Sequence, residues 1–302
     1  MRPNFFLAGA PKCGTTSLYD WLKDHPNTFL PEIKEPHFFA LLRPDRVIEK
    51  LAEYNAQYAK ANKPGVIAIG DGSTTYLHTP GALETVKGYA PDAKVVLSVR
   101  NPIDMVRSLH AYKLSRQAED VEDFEAAWRL SFDRRQGKNL PKVAGIIDPY
   151  QIDYAEMGLL GKYVSKAYGL FPKENIHVVV FDDMVGDPRK TYLSLEAFLG
   201  LPDNGRTDFS ASNVTSDTGT TKAVYKVAAR LPRPVKQTLR KLGIGSLGVI
   251  DKLSVASAPA KAARPSASPE FIRELRDYYR TDVDLLGRLI SRDLSHWLSP
   301  RA

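Results

Sequence analysis

Three short segments of the chain carry residues whose types and spacing can do chemistry. The first runs Gly9-Ala10-Pro11-Lys12-Cys13-Gly14-Thr15-Thr16-Ser17, directly after the apolar run Phe5-Phe6-Leu7-Ala8. A strand, a glycine-bounded loop and a helix start in that order build an anion cradle. Backbone N–H groups from about Cys13 to Ser17 would converge at the helix N-terminus, where the helix dipole favours negative charge. Gly14 lets the chain approach a ligand with no Cβ in the way, and Lys12 adds a full positive charge. The Gly9-to-Gly14 spacing matches the start of a GxxxxGK[ST] loop, but Thr15 stands where the lysine belongs and Lys12 comes three residues early. A turn that used glycine for geometry alone would not need the Lys-Cys-Gly-Thr-Thr-Ser string.

The second segment follows the apolar run Val95–Val99 and reads Arg100-Asn101-Pro102-Ile103-Asp104-Met105-Val106-Arg107-Ser108. Arg100 would end a strand at the carboxyl edge of the sheet, where open α/β folds bind ligands. Pro102 suits a first helical position, and Ser108 would lie about two turns along that helix. Together Arg100 and Ser108 could hold a second phosphate, the one by its planar fork and the other by its hydroxyl. The third segment, Lys34-Glu35-Pro36-His37-Phe38-Phe39, offers two acid–base candidates. An unperturbed imidazole titrates nearer neutrality than a carboxylate, yet a histidine beside two phenylalanines also reads as a packed core residue. Spacing alone does not choose between Glu35 and His37. Glu32 reads as a solvated loop charge.

The elements that must position these residues alternate. Strand-like runs recur at Phe5–Ala8, Val66–Ile69, Val95–Val99 and Ile176–Phe181, with helical patterns at Pro80–Tyr89, Pro102–Ser115, Asp153–Gly169 and Arg189–Leu199. Strands apolar on both faces and separated by helices predict a three-layer α/β/α domain around a central parallel sheet. A last helix, Pro269–Ile290, repeats apolar residues at Phe271, Leu275, Tyr278, Leu285 and Leu289, as expected of a helix that docks on the core. The expected organisation is a single domain over 1–302, with a core of about 1–215, a basic helical excursion of about 216–268 and a C-terminal helix at 269–298.

Composition limits the partners. The 302 residues are 43% apolar and 25% charged, ordinary for a globular protein, and the net charge is +7. That charge invites an anionic partner, but neither zinc-finger spacing nor an aromatic RNA-binding signature is present, so nucleic acid is not expected. A single cysteine, Cys13, excludes an intramolecular disulfide and a cysteine-based zinc cluster, and no metal site is expected. The absence of a membrane-length apolar stretch and of a leader predicts a cytoplasmic protein. From Lys222 to Arg264 there are ten Lys or Arg and one acid, Asp251. The plain reading is a solvated helical excursion. Lys222, Lys226 and Arg230 recur four apart, however, so that face could instead close over a nucleotide or lie against an anionic membrane or a lipid-bearing acceptor.

Taken together, the first two segments resemble the 5′-phosphosulfate loop and the 3′-phosphate motif of sulfotransferases that use 3′-phosphoadenosine 5′-phosphosulfate, here PKCGTTSL and VRNPIDMVRSLHAY. KEPHFF (34–39), GDGSTTYL (70–77), the block at 171–201 and RDLSHWL near the end are similar to that family as well, nearest to bacterial members and heparan-type domains. The resemblance implies a P-loop-like phosphosulfate loop in which Lys12, Cys13, Gly14, Thr15, Thr16 and Ser17 hold the donor, with Arg100, Ser108 and Lys222 as further nucleotide contacts. It implies Glu35 as general base and Lys12 as the residue facing the bridging oxygen, with no metal. The expected reaction is sulfuryl transfer to an acceptor hydroxyl of a carbohydrate, lipid or small alcohol, less readily to an amine. One departure stands out: heparan-type enzymes carry a lysine in an E-K-[ST]-P-x-Y pattern, and this chain has Gly72 there, in Asp71-Gly72-Ser73-Thr74-Thr75-Tyr76. Two alternatives remain open on the residues. One is a P-loop kinase or NTPase, with Val178–Asp182 as its acidic strand; the other is a non-catalytic anionic-ligand-binding protein using the basic segment 222–264.

Overall fold

The structure, a computed structural model, describes residues 1–43, 46–143, 148–210 and 267–300. In chain order the elements are β1 (Phe5–Gly9), α1 (Thr15–Lys23), β2 (Thr28–Phe29), α2 (Leu51–Ala56), β3 (Ala68–Asp71), α3 (Ala82–Tyr89), β4 (Lys94–Val99) and α4 (Pro102–Ser115). They continue with α5 (Phe124–Arg129), α6 (Ser131–Arg134), α7 (Tyr154–Met157), α8 (Leu160–Leu170), β5 (Ile176–Val180), α9 (Phe181–Gly186), α10 (Pro188–Leu199) and α11 (Pro269–Ile290). Two compact units result: the described residues of Met1–Arg100 and Tyr163–Ser212 form one, those of Asn101–Lys162 and Asn213–Ala302 the other. The expected basic excursion, with Lys222, Lys226 and Arg230, lies outside the described residues.

The first unit holds one parallel sheet in the order β2-β3-β1-β4-β5. β1 is buried at every position, as a central strand flanked on both sides must be. Its side chains Phe5 and Leu7 join Leu18, Trp21 and Leu22 of α1 and Tyr192, Leu195 and Leu199 of α10 in the core. β3 begins two residues later than the apolar run Val66–Ile69 suggests. Ile67 is exposed, whereas Gly70 is taken into the strand because a side chain there would collide with the Phe5 ring, at 2.2 Å from a Cβ. The two-residue β2 has no periodicity from which to read it.

In the second unit, Asn101 caps α4 by accepting from the Ile103 N–H, Pro102 occupies the first turn, and the Asn101 amide donates to the Trp297 carbonyl at 2.8 Å. The pattern over Asp153–Gly169 divides into α7 and α8 at Gly158, where a side chain would meet the Tyr279 ring. Asp282 of α11 accepts from the Gly161 and Lys162 N–H groups at 2.7 and 2.8 Å, satisfying the start of α8. The buried stripe of α11 is Phe271, Leu275, Tyr279, Val283 and Leu286, not Tyr278, Leu285 and Leu289, which are only partly buried. Tyr279 wins over Tyr278 because its hydroxyl accepts from Trp128 Nε1 at 3.1 Å and donates to the Tyr154 carbonyl at 3.0 Å. No described helix is long and apolar enough to cross a membrane.

β3 ends on a buried acid. Asp71 accepts from the hydroxyls of Tyr54 (2.8 Å) and Tyr76 (2.9 Å) and from the Ser73 N–H (2.9 Å). Burial nevertheless pushes its carboxyl up to about 6, against those three donors. An acid raised in this way stabilises the fold below its unfolded value of 3.8, and the contribution is lost as pH rises through about 6. Asp71→Asn removes the titration. The stability cost of that substitution should therefore shrink between about pH 4 and pH 7, by roughly 3 kcal/mol. Urea melts of both proteins across that range check it, and a constant difference would place the pH dependence elsewhere.

Candidate active site

The carboxyl ends of the strands in the first unit carry the loop after β1, the segment after β2, the 72–75 turn after β3 and Arg100 after β4. The loop after β1 has its carbonyls tied inward. Ser98 Oγ donates to the Cys13 carbonyl at 2.5 Å, and Arg100 Nη1 donates to the Lys12 carbonyl at 3.1 Å. The Ala10 N–H donates to the Ser98 carbonyl at 2.8 Å. Gly14 is the N-cap of α1 with φ +83° and has no side chain to cap the first turn. The first intrahelical bond runs from the Leu18 N–H to the Gly14 carbonyl. The N–H groups of Thr15, Thr16 and Ser17 thus precede any intrahelical acceptor. That is an anion cradle. Gly14 is required twice, by its left-handed backbone and because a Cβ would lie 2.2 Å from Met184 Cε and 3.1 Å from Phe181 Cδ2.

Lys12 is half-buried and also left-handed, at φ +64°, a conformation a non-glycine residue holds only when its surroundings impose it. Cys13 and Thr15 are buried; Thr16 and Ser17 are partly exposed. Burial pushes the Cys13 thiol up to about 12 despite the nearby Arg100 and Lys12 charges, so the thiol packs and what Cys13 can offer a ligand is its backbone. The Arg100 guanidinium lies 4.3 Å from the centre of the Phe181 ring, which together with the Lys12 carbonyl fixes its plane. Ser108 is half-buried on α4, in the second unit, and Lys222 lies outside the described residues.

The segment 34–39 is anchored from below by aromatic rings. Phe38 stacks on Tyr54 at 4.5 Å between centroids, and Phe39 meets Phe6, Tyr54, Tyr76 and Tyr89. Of the two phenylalanines only Phe39 is fully buried. The Glu35 carboxylate accepts from Thr74 Oγ1 at 3.3 Å and faces His37 Nε2 at 3.5 Å. His37 Nδ1 lies 3.1 Å from Thr75 Oγ1, and its backbone N–H donates to Ser73 Oγ at 3.1 Å. The two acid–base candidates are thus one connected group. Sequence reasoning missed the hydroxyls of Ser73, Thr74 and Thr75 as the wall that holds it; their crowding in one hexapeptide was the available signal. It also passed over Lys34, whose ammonium donates to Thr16 Oγ1 at 2.7 Å and lies 5.4 Å from the centre of the Tyr19 ring. Among the described residues no group of three or more His, Cys, Asp or Glu side chains is placed to hold a metal ion.

Comparison with known proteins gives a consistent picture. A family model described as "Sulfotransferase domain" matches residues 2–227. Heparan sulfate glucosamine 3-O-sulfotransferase 3B1 of Mus musculus is 28% identical over 200 residues, covering 66% of this chain and 46% of that protein. Carbohydrate sulfotransferase 15 of Mus musculus is 22% identical over 258 residues, 66% of this chain and 44% of that protein. The chain thus spans about half the length of the curated relatives it matches. The crystal structure of a sulfotransferase from Alicyclobacillus acidocaldarius superposes with a TM-score of 0.69 at 24% identity, over 99% of this chain and 100% of that one. That likeness shows the fold.

Gly72 occupies a place that the structure closes to any side chain. A Cβ there would lie 2.4 and 2.6 Å from Tyr19 Cδ2 and Cε2 and 3.3 Å from the Lys34 carbonyl. The Tyr19 ring cannot swing away easily, since it is buried and its hydroxyl donates to the Pro31 carbonyl at 2.6 Å. Gly72→Ala should cost about 1–3 kcal/mol of stability by overpacking. A denaturant midpoint equal to that of the unsubstituted protein would show that the ring gives way.

Proposed function

The chain belongs to the sulfotransferase domain family, and on that premise we propose that it moves a sulfuryl group from 3′-phosphoadenosine 5′-phosphosulfate to an acceptor hydroxyl. One observation carries the reading: Lys34 Nζ bonds Thr16 Oγ1 at 2.7 Å, which brings the segment holding Glu35 against the first turn of the anion cradle. An acid–base group beside an anion site is the arrangement that group transfer from an anionic donor needs. The donor would supply a sulfuryl group already activated on a phosphate. Lys12 and the Gly14–Ser17 amides would hold that phosphate and neutralise charge developing on it, and Glu35 would take the acceptor's proton. Arg100, with Ser108 and Lys222, would recognise the 3′-phosphate. Neither the family match nor the relatives support a kinase or NTPase.

The names of the curated relatives put a carbohydrate hydroxyl first among the acceptors, ahead of a lipid or small alcohol. Gly72 separates this site from the heparan-type arrangement, so the acceptor need not be glucosaminyl. Incubation with ³⁵S-labelled donor and pooled carbohydrate, lipid and small-alcohol acceptors, followed by mass identification of the labelled product, tests the reading. Label appearing in none of the pools while the donor binds would leave a binding protein.

Two sets of variants test the roles. Arg100→Ala should weaken adenosine 3′,5′-bisphosphate by roughly tenfold or more, the worth of a charge-assisted contact. Because the same guanidinium also holds the Lys12 carbonyl, AMP should lose a little affinity, about twofold. Equal losses for the two nucleotides, measured by calorimetry, would make Arg100 a loop support only. Separately, Glu35→Gln should lower kcat by about 10²–10⁴-fold and leave bisphosphate affinity intact, as removal of a general base does. Lys12→Ala should damage both. Normal turnover in Glu35→Gln together with none in His37→Asn would move the base to His37.

A further inference from the structure

We propose that Lys34 contacts the sulfuryl group itself, serving as the second cation of the site and taking the place of the lysine that Gly72 excludes. The proposal rests on the sulfuryl-transfer reading above.

Three observations converge on it. The Lys34 ammonium reaches across from the segment after β2 to Thr16 Oγ1, 2.7 Å away, on the first turn of α1. Thr16 follows directly on the N-cap turn whose amides form the cradle, so a cation bonded to its hydroxyl stands at the cradle's rim. A hydroxyl that accepts from an ammonium keeps its own O–H free to donate, so Lys34 and Thr16 together offer an anion two donors and a full charge. Secondly, Tyr19 supports Lys34: the ammonium lies 5.4 Å from the ring centre, and the ring is locked by its bond to the Pro31 carbonyl. Thirdly, that same ring fills the space into which a side chain at position 72 would project. The Tyr19 ring and a lysine at 72 are mutually exclusive, and the ring is the platform on which Lys34 rests. The cation here comes from the segment after β2, next in sequence to Glu35.

The charges make the role specific. The transferred group carries its negative charge outward of the 5′-phosphate, whereas in the desulfated product that charge returns to the 5′-phosphate itself. Lys12 lies inside the phosphate loop and Arg100 at the end of β4; Lys34 is the cation that arrives from the segment bearing Glu35. It should therefore distinguish the sulfated nucleotide from its desulfated product. A lysine that merely stapled residue 34 to α1 would make no such distinction.

The test is a pair of dissociation constants measured by calorimetry without acceptor. Lys34→Met should weaken 3′-phosphoadenosine 5′-phosphosulfate by about tenfold or more, the worth of one charge-assisted contact, and leave adenosine 3′,5′-bisphosphate within about twofold. Lys34→Arg should keep most of the preference, and Thr16→Val should lose part of it. Lys34→Gln, an uncharged and shorter polar side chain, repeats the measurement should the Met variant melt early. Equal weakening of the two nucleotides, or no weakening of the sulfated one, overturns the proposal. Failure of the unsubstituted protein to bind either nucleotide would overturn the sulfuryl-transfer reading and this proposal with it. Loss of preference in the variants alone cannot be confused with that outcome.

Discussion

The site depends on which polar groups of the loop after β1 are already bonded. A buried carbonyl without a donor costs about 1–3 kcal/mol, so a loop packed over a sheet edge must have its acceptors supplied from somewhere. Here β4 supplies them. Ser98 gives its hydroxyl to Cys13 and its own carbonyl to the Ala10 N–H, and Arg100 gives a guanidinium N–H to Lys12. With the carbonyls held from below, the first-turn amides of α1 are left to whatever lies above. The anion cradle is therefore a property of two strands. The Ser98-Val99-Arg100 end of β4 belongs to it as much as the glycines do.

The same division runs through the other half of the site. The 34–39 segment is held by its rings and backbone: Phe38 and Phe39 sink into tyrosines, the His37 N–H is taken by Ser73, and the Phe39 N–H donates to Tyr76 Oη at 3.3 Å. Tyr76 in turn donates to buried Asp71, so the carboxylate at the end of β3 fixes the floor on which Glu35 stands. A tilt of that floor would reach Lys34 as well as Glu35, because the two are neighbours in sequence, although Lys34 rests on a different ring, Tyr19.

Much of this was legible in the sequence wherever the determinant is local. The bounds of α4 and α11 are as expected, since Pro102 and Pro269 each sit in a first turn behind a capping Asn101 or Ser268. The anion loop was legible because strand, glycine and helix follow one another without interruption. What was not legible depends on partners far away in the chain. Tyr278 and Tyr279 are adjacent and chemically alike, and only Trp128 and the Tyr154 carbonyl decide which one is buried. β3 is displaced because Gly70 admits a ring from β1. Lys34 drew no role from the sequence because periodicity sees a lysine only as polar, whereas its long stem carries the charge to a helix eighteen residues upstream in the chain.

The relation between Glu35 and His37 follows from the same packing. The Glu35 side chain retains 27% of its exposure and that of His37 only 7%, so of the pair the carboxylate is the group open to an incoming hydroxyl. His37 is turned the other way: Nδ1 meets Thr75 Oγ1, Nε2 faces the carboxylate, and its backbone is left-handed at φ +54°. That backbone conformation lets a chain coming from Pro36 lower His37 beneath Glu35 while Phe38 and Phe39 enter the aromatic layer. An imidazole with Nδ1 accepting from Thr75 presents Nε2–H to the carboxylate. In the other tautomer Nδ1–H donates to Thr75 Oγ1 and Nε2 turns a lone pair toward the carboxylate, so the same contacts serve either proton position. On the proposed reading, the more exposed carboxylate would take the proton and the more buried imidazole would position it.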